Sequence, residues 1–326
     1  MSVLVTGGAG YIGSHMAYAL VDAGEQVVVL DNLSTGVRAN VSPGAIFVNG
    51  DVGDRALVSR LIRENGITAV IHFAGSVVVP ESVEKPLLYY ANNTQASLAL
   101  ISACVEAGVT RFIFSSTAAV YGMGTGSTPI SETAQTEPIN PYGRSKLLTE
   151  WILRDAAAAH DFRYVALRYF NVAGADPKGR TGQSTPRATH LIKRAAQVAL
   201  GKVPQLDIFG TDYPTADGTA VRDYIHVSDL VHIHRMALDH LRGDGESDTF
   251  NCGYGRGASV LEVVSAVERV TGKPLAINHA PRRLGDPASL VADCDKLRRE
   301  FAWQPRYAFL DGIVESALAW ERGLKD

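Results

Sequence analysis

TGGAGYIG, residues 6–13, follows directly on the apolar run Val3-Leu4-Val5, and that placement decides the fold. After a buried strand, the spacing Gly7, Gly10, Gly13 serves three needs. Gly7 permits a tight turn, Gly10 lets backbone come close to a diphosphate, and Gly13 lets the next helix settle on the strand. Backbone N–H groups at the start of that helix then face an anion. A second apolar run, Gln26-Val27-Val28-Val29-Leu30, ends in Asp31, about 20 residues beyond the glycines. A carboxylate there accepts both hydroxyls of an adenosine ribose, which favours NAD over NADP as the cofactor. The alternative for Asp31 is a turn residue closing the strand, a task Asn32 serves equally well.

The chain of 326 residues is long enough for two domains of roughly 150 residues each, and 46% hydrophobic residues supply a sizeable core. A formal charge of -3 offers no basic patch, so neither nucleic acid nor an anionic membrane surface is expected as a partner. The first strand begins at once, which leaves no room for a signal peptide, and no apolar run approaches a membrane span. A cytoplasmic location is expected. Cys104, Cys252 and Cys294 are widely spaced and lack CxxC pairing, so they read as buried thiols rather than a disulfide framework or zinc site. His232 and His234 are two residues apart, and on a helix such residues do not share a face, so no metal is expected.

Short apolar runs at 69–73, 111–115 and 164–168 read as strands buried on both faces. Helical spacing fills 54–65, 94–107 and 142–160, with Gly66 and Gly108 placed as helix terminators. The alternation predicts an α/β fold, a doubly wound parallel sheet of Rossmann type. After Asn171 the texture changes, with Gly, Pro and Thr clustered over 174–186 and a loop-rich segment at 209–218. We therefore expect a dinucleotide-binding domain over 1–171 and a smaller C-terminal α/β substrate lobe over 172–326, covering the carboxyl ends of the strands. The helical pattern at 227–241 is expected to be able to return to the first domain.

A second constellation, Tyr142-Gly143-Arg144-Ser145-Lys146, has a hydroxyl residue, Thr117, upstream at a strand end. Residues four apart share a helix face, which brings the Lys146 ammonium near the Tyr142 phenol and favours its ionised form. A free Tyr titrates near pH 10, so a base working near neutrality needs a fall of roughly 3 units, or about 4 kcal/mol. Lys146 and an oxidised nicotinamide together can supply that positive charge.

With these motifs on the page, the sequence resembles the extended short-chain dehydrogenase/reductase family over nearly its whole length, and within it the UDP-glucose (UDP-galactose) 4-epimerases. Beyond TGGAGYIG and YGRSK, the matching stretches are LDNLSTG at 30–36, VIHFAG at 70–75 and FIFSSTAAVYG at 112–122. They continue with RYFNVAGA at 168–175, VRDYIHVSDL at 221–230 and APRRLGD at 280–286. The resemblance implies a reaction without net redox change. Tyr142 takes the proton from the 4-hydroxyl of a UDP-hexose while carbon 4 gives its hydride to NAD, and the 4-keto sugar turns over and is reduced on its opposite face. It further implies that Thr117 hydrogen-bonds the 4-oxygen and that Lys146 contacts the nicotinamide ribose. NAD would be met by Gly7, Gly10, Tyr11, Ile12 and Gly13, by Asp31 and Asn32 at the adenosine ribose, and by Asp51 and Val52 near adenine. Phe73, Ala74 and Gly75 of the VIHFAG strand end, and Asn92 by the diphosphate, complete that set. On the UDP side the implied contacts are Asn171, Arg222 and Arg283 at the diphosphate, Asp286 at the uridine ribose and Phe209 beside the uracil. His190 reads either as a base contact or as a helix-start residue. A homodimer built from the helices near 94–107 and 142–160 is also implied, although burial within one chain would explain their apolar stripes too.

Three departures from the family pattern bear on function. Thr117 stands where many relatives have Ser and keeps the hydroxyl. Val77 stands where one branch has a Lys gripping the cofactor diphosphate. Leu290 occupies the position that sets room around carbon 2 of the sugar, which leaves N-acetylated sugars open. Ala118 and Ala119 replace the acidic pair that nucleotide-sugar dehydration needs, and they speak against decarboxylation of a UDP-glucuronate as well. A UDP-pentose 4-epimerase needs the same catalytic set and stays open, and a non-catalytic nucleotide-sugar-binding protein would share the fold.

Overall fold

The computed structural model describes residues 1–123, 129–185, 188–283 and 285–324. The chain divides into two compact units: Met1–Val120, Pro138–Arg168 and Val231–Phe250 form the first, and Tyr121–Glu137, Tyr169–Leu230 and Asn251–Asp326 the second.

The first unit is built on the strands β1 (Ser2–Thr6), β2 (Gln26–Asp31), β3 (Ile46–Asn49), β4 (Ile67–His72), β5 (Arg111–Thr117) and β6 (Arg163–Tyr169). A seventh strand, Asp248–Cys252, pairs beside β6, giving the order 3-2-1-4-5-6 followed by that late strand. The pairs β3–β2, β2–β1, β1–β4 and β4–β5 are parallel. This is the doubly wound, Rossmann-type order, whose switch point lies between β1 and β4. The apolar runs become strands because β-branched residues face packed layers on both sides. On one face, Leu4, Val28, Val70, Phe112, Phe114 and Phe162 form a buried cluster with residues of the helices Arg55–Asn65, Ala96–Glu106 and Pro141–Ala159. Each such side chain contributes about 1.5–3 kcal/mol on burial. The helix Val227–Arg242 contributes its later turns to this unit, where the Leu241 carbonyl accepts from Arg111 Nε at 3.2 Å and Arg242 pairs with Glu25 at 2.7 Å.

Two segments besides that late strand differ from the sequence expectation. The helix expected to start near residue 94 is already running at Pro86, and Tyr90–Gln95 within it is wound as a π-helix before Ala96–Glu106. Its polar YANNTQ run breaks the apolar stripe that would have announced it, because Asn93 and Thr94 turn their side chains to neighbouring backbone and hydroxyl groups. Strand β3 is an edge strand with Ile46 exposed, so its alternation is too weak to read.

The second unit holds β7 (Asn171–Ala173), β8 (Leu206–Phe209), β9 (Val221–His226), β11 (Gly257–Ser259), β12 (Ile277–Ala280) and β13 (Ser289–Leu290), counting the late strand of the first sheet as β10. β9 is the centre of a four-stranded sheet, flanked by β11, β13 and β7, and β8 pairs with β12. The helices Leu191–Ala199, Val260–Thr271 and Leu310–Gly323 pack on one another. The second of these starts at a capping box, with Glu262 N donating to Ser259 Oγ at 3.0 Å and Ser259 N to Glu262 Oε2 at 2.7 Å.

The glycine turn rests on close approach. A Cβ at Gly13 would stand 2.2 Å from the Gly7 carbonyl oxygen, whereas one at Gly10 would meet that same oxygen at 3.1 Å and nothing else within 4 Å. Gly13→Ala is therefore expected to lower stability by about 1–3 kcal/mol, while Gly10→Ala leaves it within ~1 kcal/mol. Urea denaturation of the two variants checks this, and equal losses would show that the turn relaxes as one piece.

Candidate active site

The turn after β1 begins with Gly7 at φ 67, its N–H donating to the Leu30 carbonyl at 2.9 Å. The helix Tyr11–Asp22 then starts at Gly10 with no side chain capping its first turn, which leaves those amides to an anion. Tyr11 is buried with its ring edge-on to His15, and Ile12 is half-buried. A glycine the sequence reading passed over, Gly8, lies where a Cβ would stand 2.7 Å from Val29 Cγ1.

Asp31 ends β2 and is buried. Its Oδ2 accepts from Ala9 N at 2.9 Å and its Oδ1 from Leu33 N at 2.8 Å. Two backbone donors fix the carboxylate and leave lone pairs for a diol. Asn32 donates to Asp51 Oδ2 at 3.0 Å, and Asp51 Oδ1 accepts from Gly53 N at 2.7 Å, so these two exposed side chains form one rim. Val52 is buried in the core cluster, so its backbone rather than its side chain faces any ligand.

The end of β4 closes against the glycine turn. A Cβ at Gly7 would stand 2.7 Å from Ala74 N, and one at Gly75 would stand 3.7 Å from Lys146 Nζ. Phe73 packs against His234, with ring centroids 4.9 Å apart. Asn92 donates to Ser76 Oγ at 3.1 Å. Its neighbour Asn93, missed in the sequence, is the clamp of this corner: Oδ1 accepts from Ser76 N at 2.7 Å while Nδ2 donates to Ser76 O and Ser145 Oγ, both at 3.0 Å.

The helix Pro141–Ala159 starts here for local reasons. Asn140 caps it by accepting from Gly143 N at 2.9 Å, and Pro141 fills the first position, where a missing N–H costs nothing. Gly143 has a second task that its neighbours hid: a Cβ there would stand 2.6 Å from the Ala119 carbonyl oxygen, so the helix lies directly against the end of β5. Tyr142 is half-buried. Thr117 Oγ1 accepts from Ala119 N at 3.1 Å. Burial pushes the Tyr142 phenol above its ordinary value, and the Thr117 hydroxyl acts on it in the lowering direction. Lys146 is buried, donates to the Ser115 carbonyl at 2.8 Å and lies 4.9 Å from the centre of the Phe114 ring. Burial lowers its pKa to about 8, and Glu150 acts in the raising direction. The first unit thus brings Thr117, Tyr142 and Lys146 together at strand ends next to the glycine turn. A hydroxyl, a phenol and a desolvated ammonium so arranged can remove and return the proton of an alcohol.

The residues expected on the UDP side all fall in the second unit. Arg283 lays its guanidinium over the Phe209 ring at 3.8 Å, and the Arg283 carbonyl accepts from Asp286 N at 3.3 Å. Arg222, near the start of β9, pairs in register with Leu290 of β13 and donates to the Val221 carbonyl at 2.8 Å. Asn171 pairs with Tyr224 across β7 and β9. The Tyr213 phenol, raised first by burial, is acted on by both Asp286 and Arg222, which ties those two charges to one neighbourhood. His190 stands at the start of the helix Leu191–Ala199, with Nδ1 3.3 Å from Gln183 Nε2. Both readings of it are compatible with that place. Among the described residues, no helix is long and apolar enough to cross a membrane.

Comparison with known proteins follows the same motifs. The model of the NAD dependent epimerase/dehydratase family matches residues 3–253. The UDP-glucose 4-epimerase of Azospirillum brasilense is 59% identical over 323 residues, 99% of this chain and 92% of that protein. The crystal structure of UDP-glucose 4-epimerase from Brucella ovis in complex with NAD superposes with a TM-score of 0.94 at 44% identity, covering 98% of this chain and 97% of that one. The Bifidobacterium longum UDP-glucose 4-epimerase, crystallised with NAD+ and UDP, gives 0.93 at 40% identity over 99% and 98% of the two chains. With the match running from β1 to Gly253 and the relatives spanning nearly all of the rest, this chain belongs to the NAD dependent epimerase/dehydratase family.

Proposed function

We propose that this chain interconverts UDP-galactose and UDP-glucose by inverting carbon 4 of the hexose with bound NAD. The observation that carries the reading is the Thr117, Tyr142 and Lys146 set, held at strand ends against the corner where Ala74 abuts Gly7. The fit to NAD is supported by the open face at Gly10, the uncapped first turn of the helix that follows, and the two-point anchorage of Asp31, whose charge opposes a 2′-phosphate. Asn32 and Asp51 would flank the adenosine, with Asn92 toward the diphosphate. When bound, NAD supplies the reversible hydride acceptor for carbon 4.

Tyr142 takes the proton of the 4-hydroxyl and later returns it to the inverted alcohol. Thr117 accepts from Ala119 N, which leaves its own proton to donate to the 4-oxygen. Because an ordinary phenol is already neutral near pH 7 and burial raises its pKa further, positive charge must outweigh both before Tyr142 can act; Lys146 is the chain's own source of it. In the second unit, Arg222, Asn171 and Arg283 take the diphosphate, Asp286 the uridine ribose, and Phe209 with His190 the uracil. Most binding energy then falls on the nucleotide, remote from the reacting carbon, as a sugar that must turn over requires. Arg283 leaves the Phe209 face when UDP binds, exchanging a cation–π contact for a charge-assisted one.

The reading further includes a homodimer. Leu87 at 81%, Leu98 at 48% and Trp151 at 46% exposure lie on or just before the helices Ala96–Glu106 and Pro141–Ala159. Large apolar groups left in water on neighbouring helices support a self-complementary contact.

Three outcomes test these assignments. Tyr142→Phe is expected to retain NAD and UDP binding by calorimetry while turnover of UDP-galactose, resolved from UDP-glucose by chromatography, drops by about 10³-fold. A variant that still epimerises normally removes Tyr142 as the base, and a parent enzyme that converts only UDP-xylose or only the N-acetylated sugar removes the hexose reading. Asp31→Ala should weaken NAD by about tenfold or more and narrow its preference over NADP; an unchanged ratio of the two dissociation constants would mean that other groups select the cofactor. Sedimentation should give a dimer at micromolar concentration that Leu98→Glu converts to monomer, and a parent protein that sediments as a monomer would rule the dimer out.

A further inference from the structure

Tyr142, Lys146 and Glu150 recur at every fourth residue along one face of the helix Pro141–Ala159. All three face the end of β5: the Thr117 hydroxyl acts on the Tyr142 phenol in the lowering direction, Lys146 Nζ donates to the Ser115 carbonyl at 2.8 Å, and the Ser116 hydroxyl donates to Glu150 Oε1. Glu150 in turn receives Arg168 of β6 through two contacts, Nε to Oε1 at 3.0 Å and Nη2 to Oε2 at 2.6 Å. The pair is buried, with side-chain exposures of 8% for Arg168 and 7% for Glu150.

A buried ion pair is weak evidence for stability, since apolar side chains of similar volume commonly do as well or better. Its charge therefore needs another explanation, and the neighbour one turn away supplies it. His72 from β4 and Glu150 from its own helix act on Lys146, with Arg168 of β6 behind Glu150; Tyr142 lies one turn before Lys146, and the helices over 79–89 bring Tyr89 against the Tyr142 ring with Glu81 behind it. Burial holds His72 down at about 3, so it is neutral. Burial raises Tyr142 and Tyr89, so both are neutral. Glu81 is occupied by Lys85 and Tyr89. Glu150 is the anion that acts on Lys146.

We infer that Glu150, held by Arg168 and Ser116 one helical turn beyond Lys146 on the same face, is a positioning residue that keeps the Lys146 ammonium charged. The inference rests on the role proposed above for Lys146 in supporting the Tyr142 phenolate. Removing the carboxylate takes away a neighbouring negative charge, which disfavours the ammonium and moves deprotonation of Lys146 to lower pH.

The test is the titration of Lys146 itself, followed by NMR in purified protein carrying 15N-labelled lysine, with its resonance identified by its loss in Lys146→Arg. The parent midpoint is expected near its value of about 8. In Glu150→Gln it should fall by about one unit or more, and the alkaline limb of the kcat profile should move with it while KM for the UDP-sugar stays put. Glu150→Asp keeps the charge and should hold the midpoint within about half a unit. Should Glu150→Gln fail to fold, the double variant Glu150→Gln/Arg168→Met removes both charges and should still lower the midpoint. An unmoved midpoint in the folded Gln variants, or a Glu150→Asp midpoint that falls as far as that of Glu150→Gln, overturns the inference. Midpoints that move as stated in an enzyme whose Tyr142→Phe variant still turns over would instead overturn the assigned base and leave the role of Glu150 standing.

Discussion

Gly143 lets the helix Pro141–Ala159 lie so close to the end of β5 that any side chain there would run into the Ala119 carbonyl. Everything chemical in the first unit depends on that approach. The contacts from Lys146 to Ser115 and from Glu150 to Ser116 span the same gap, across which Thr117 acts on Tyr142, and hydrogen bonds weaken steeply once it opens. The closeness also removes water, which is why burial dominates the pKa of both the phenol and the ammonium. Asn93 holds the same helix through a further bond, from its side-chain amide to the Ser145 hydroxyl at 3.0 Å.

Parallel strands convert this local geometry into a shared site. Because β1, β4 and β5 are neighbours running in one direction, their carboxyl ends open on one edge, and the segments leaving them carry the glycine turn, Ala74 with Gly75, and Thr117. The strand ends are also tied to each other beneath the site: Thr6 Oγ1 lies 2.7 Å from His72 Nδ1, and His72 Nε2 lies 2.8 Å from Ser97 Oγ. A neutral, doubly bonded imidazole is a rigid spacer there and places no second positive charge under Lys146.

The doubly wound parallel sheet and most of the helices packed on it were legible because buried parallel strands and amphipathic helices write their periods directly into the sequence. Asp31 and the YxxxK pair were legible for a related reason, since spacing alone puts them at a strand end and on one helix face. What stayed hidden depends on partners far away in the chain. Gly143 looks like any helix-start glycine until Ala119 is beside it, Asn93 is one polar residue among several, and Glu150 with Arg168 shows no local pattern because the two meet only when β6 lies next to β5. The late strand Asp248–Cys252 was hidden too, since it follows a long excursion of the chain before joining β6.

In the proposed reaction the hexose must be released from any one orientation, and the character of Leu290 bears on that. It is buried and pairs in register with Arg222, one of the residues assigned to the diphosphate, so an apolar side chain stands beside a cationic one on neighbouring strands. Arg222 can hold an anion through both half-turns of the sugar without favouring either epimer, because the diphosphate does not change. Leu290 has no polar atom with which to bond one hydroxyl configuration over the other, so it is equally indifferent to the inversion at carbon 4. Its remaining influence is volume, which acts on the room around carbon 2 rather than on the configuration of carbon 4. In the proposed reaction, indifference to carbon 4 is what a freely reversible inversion demands.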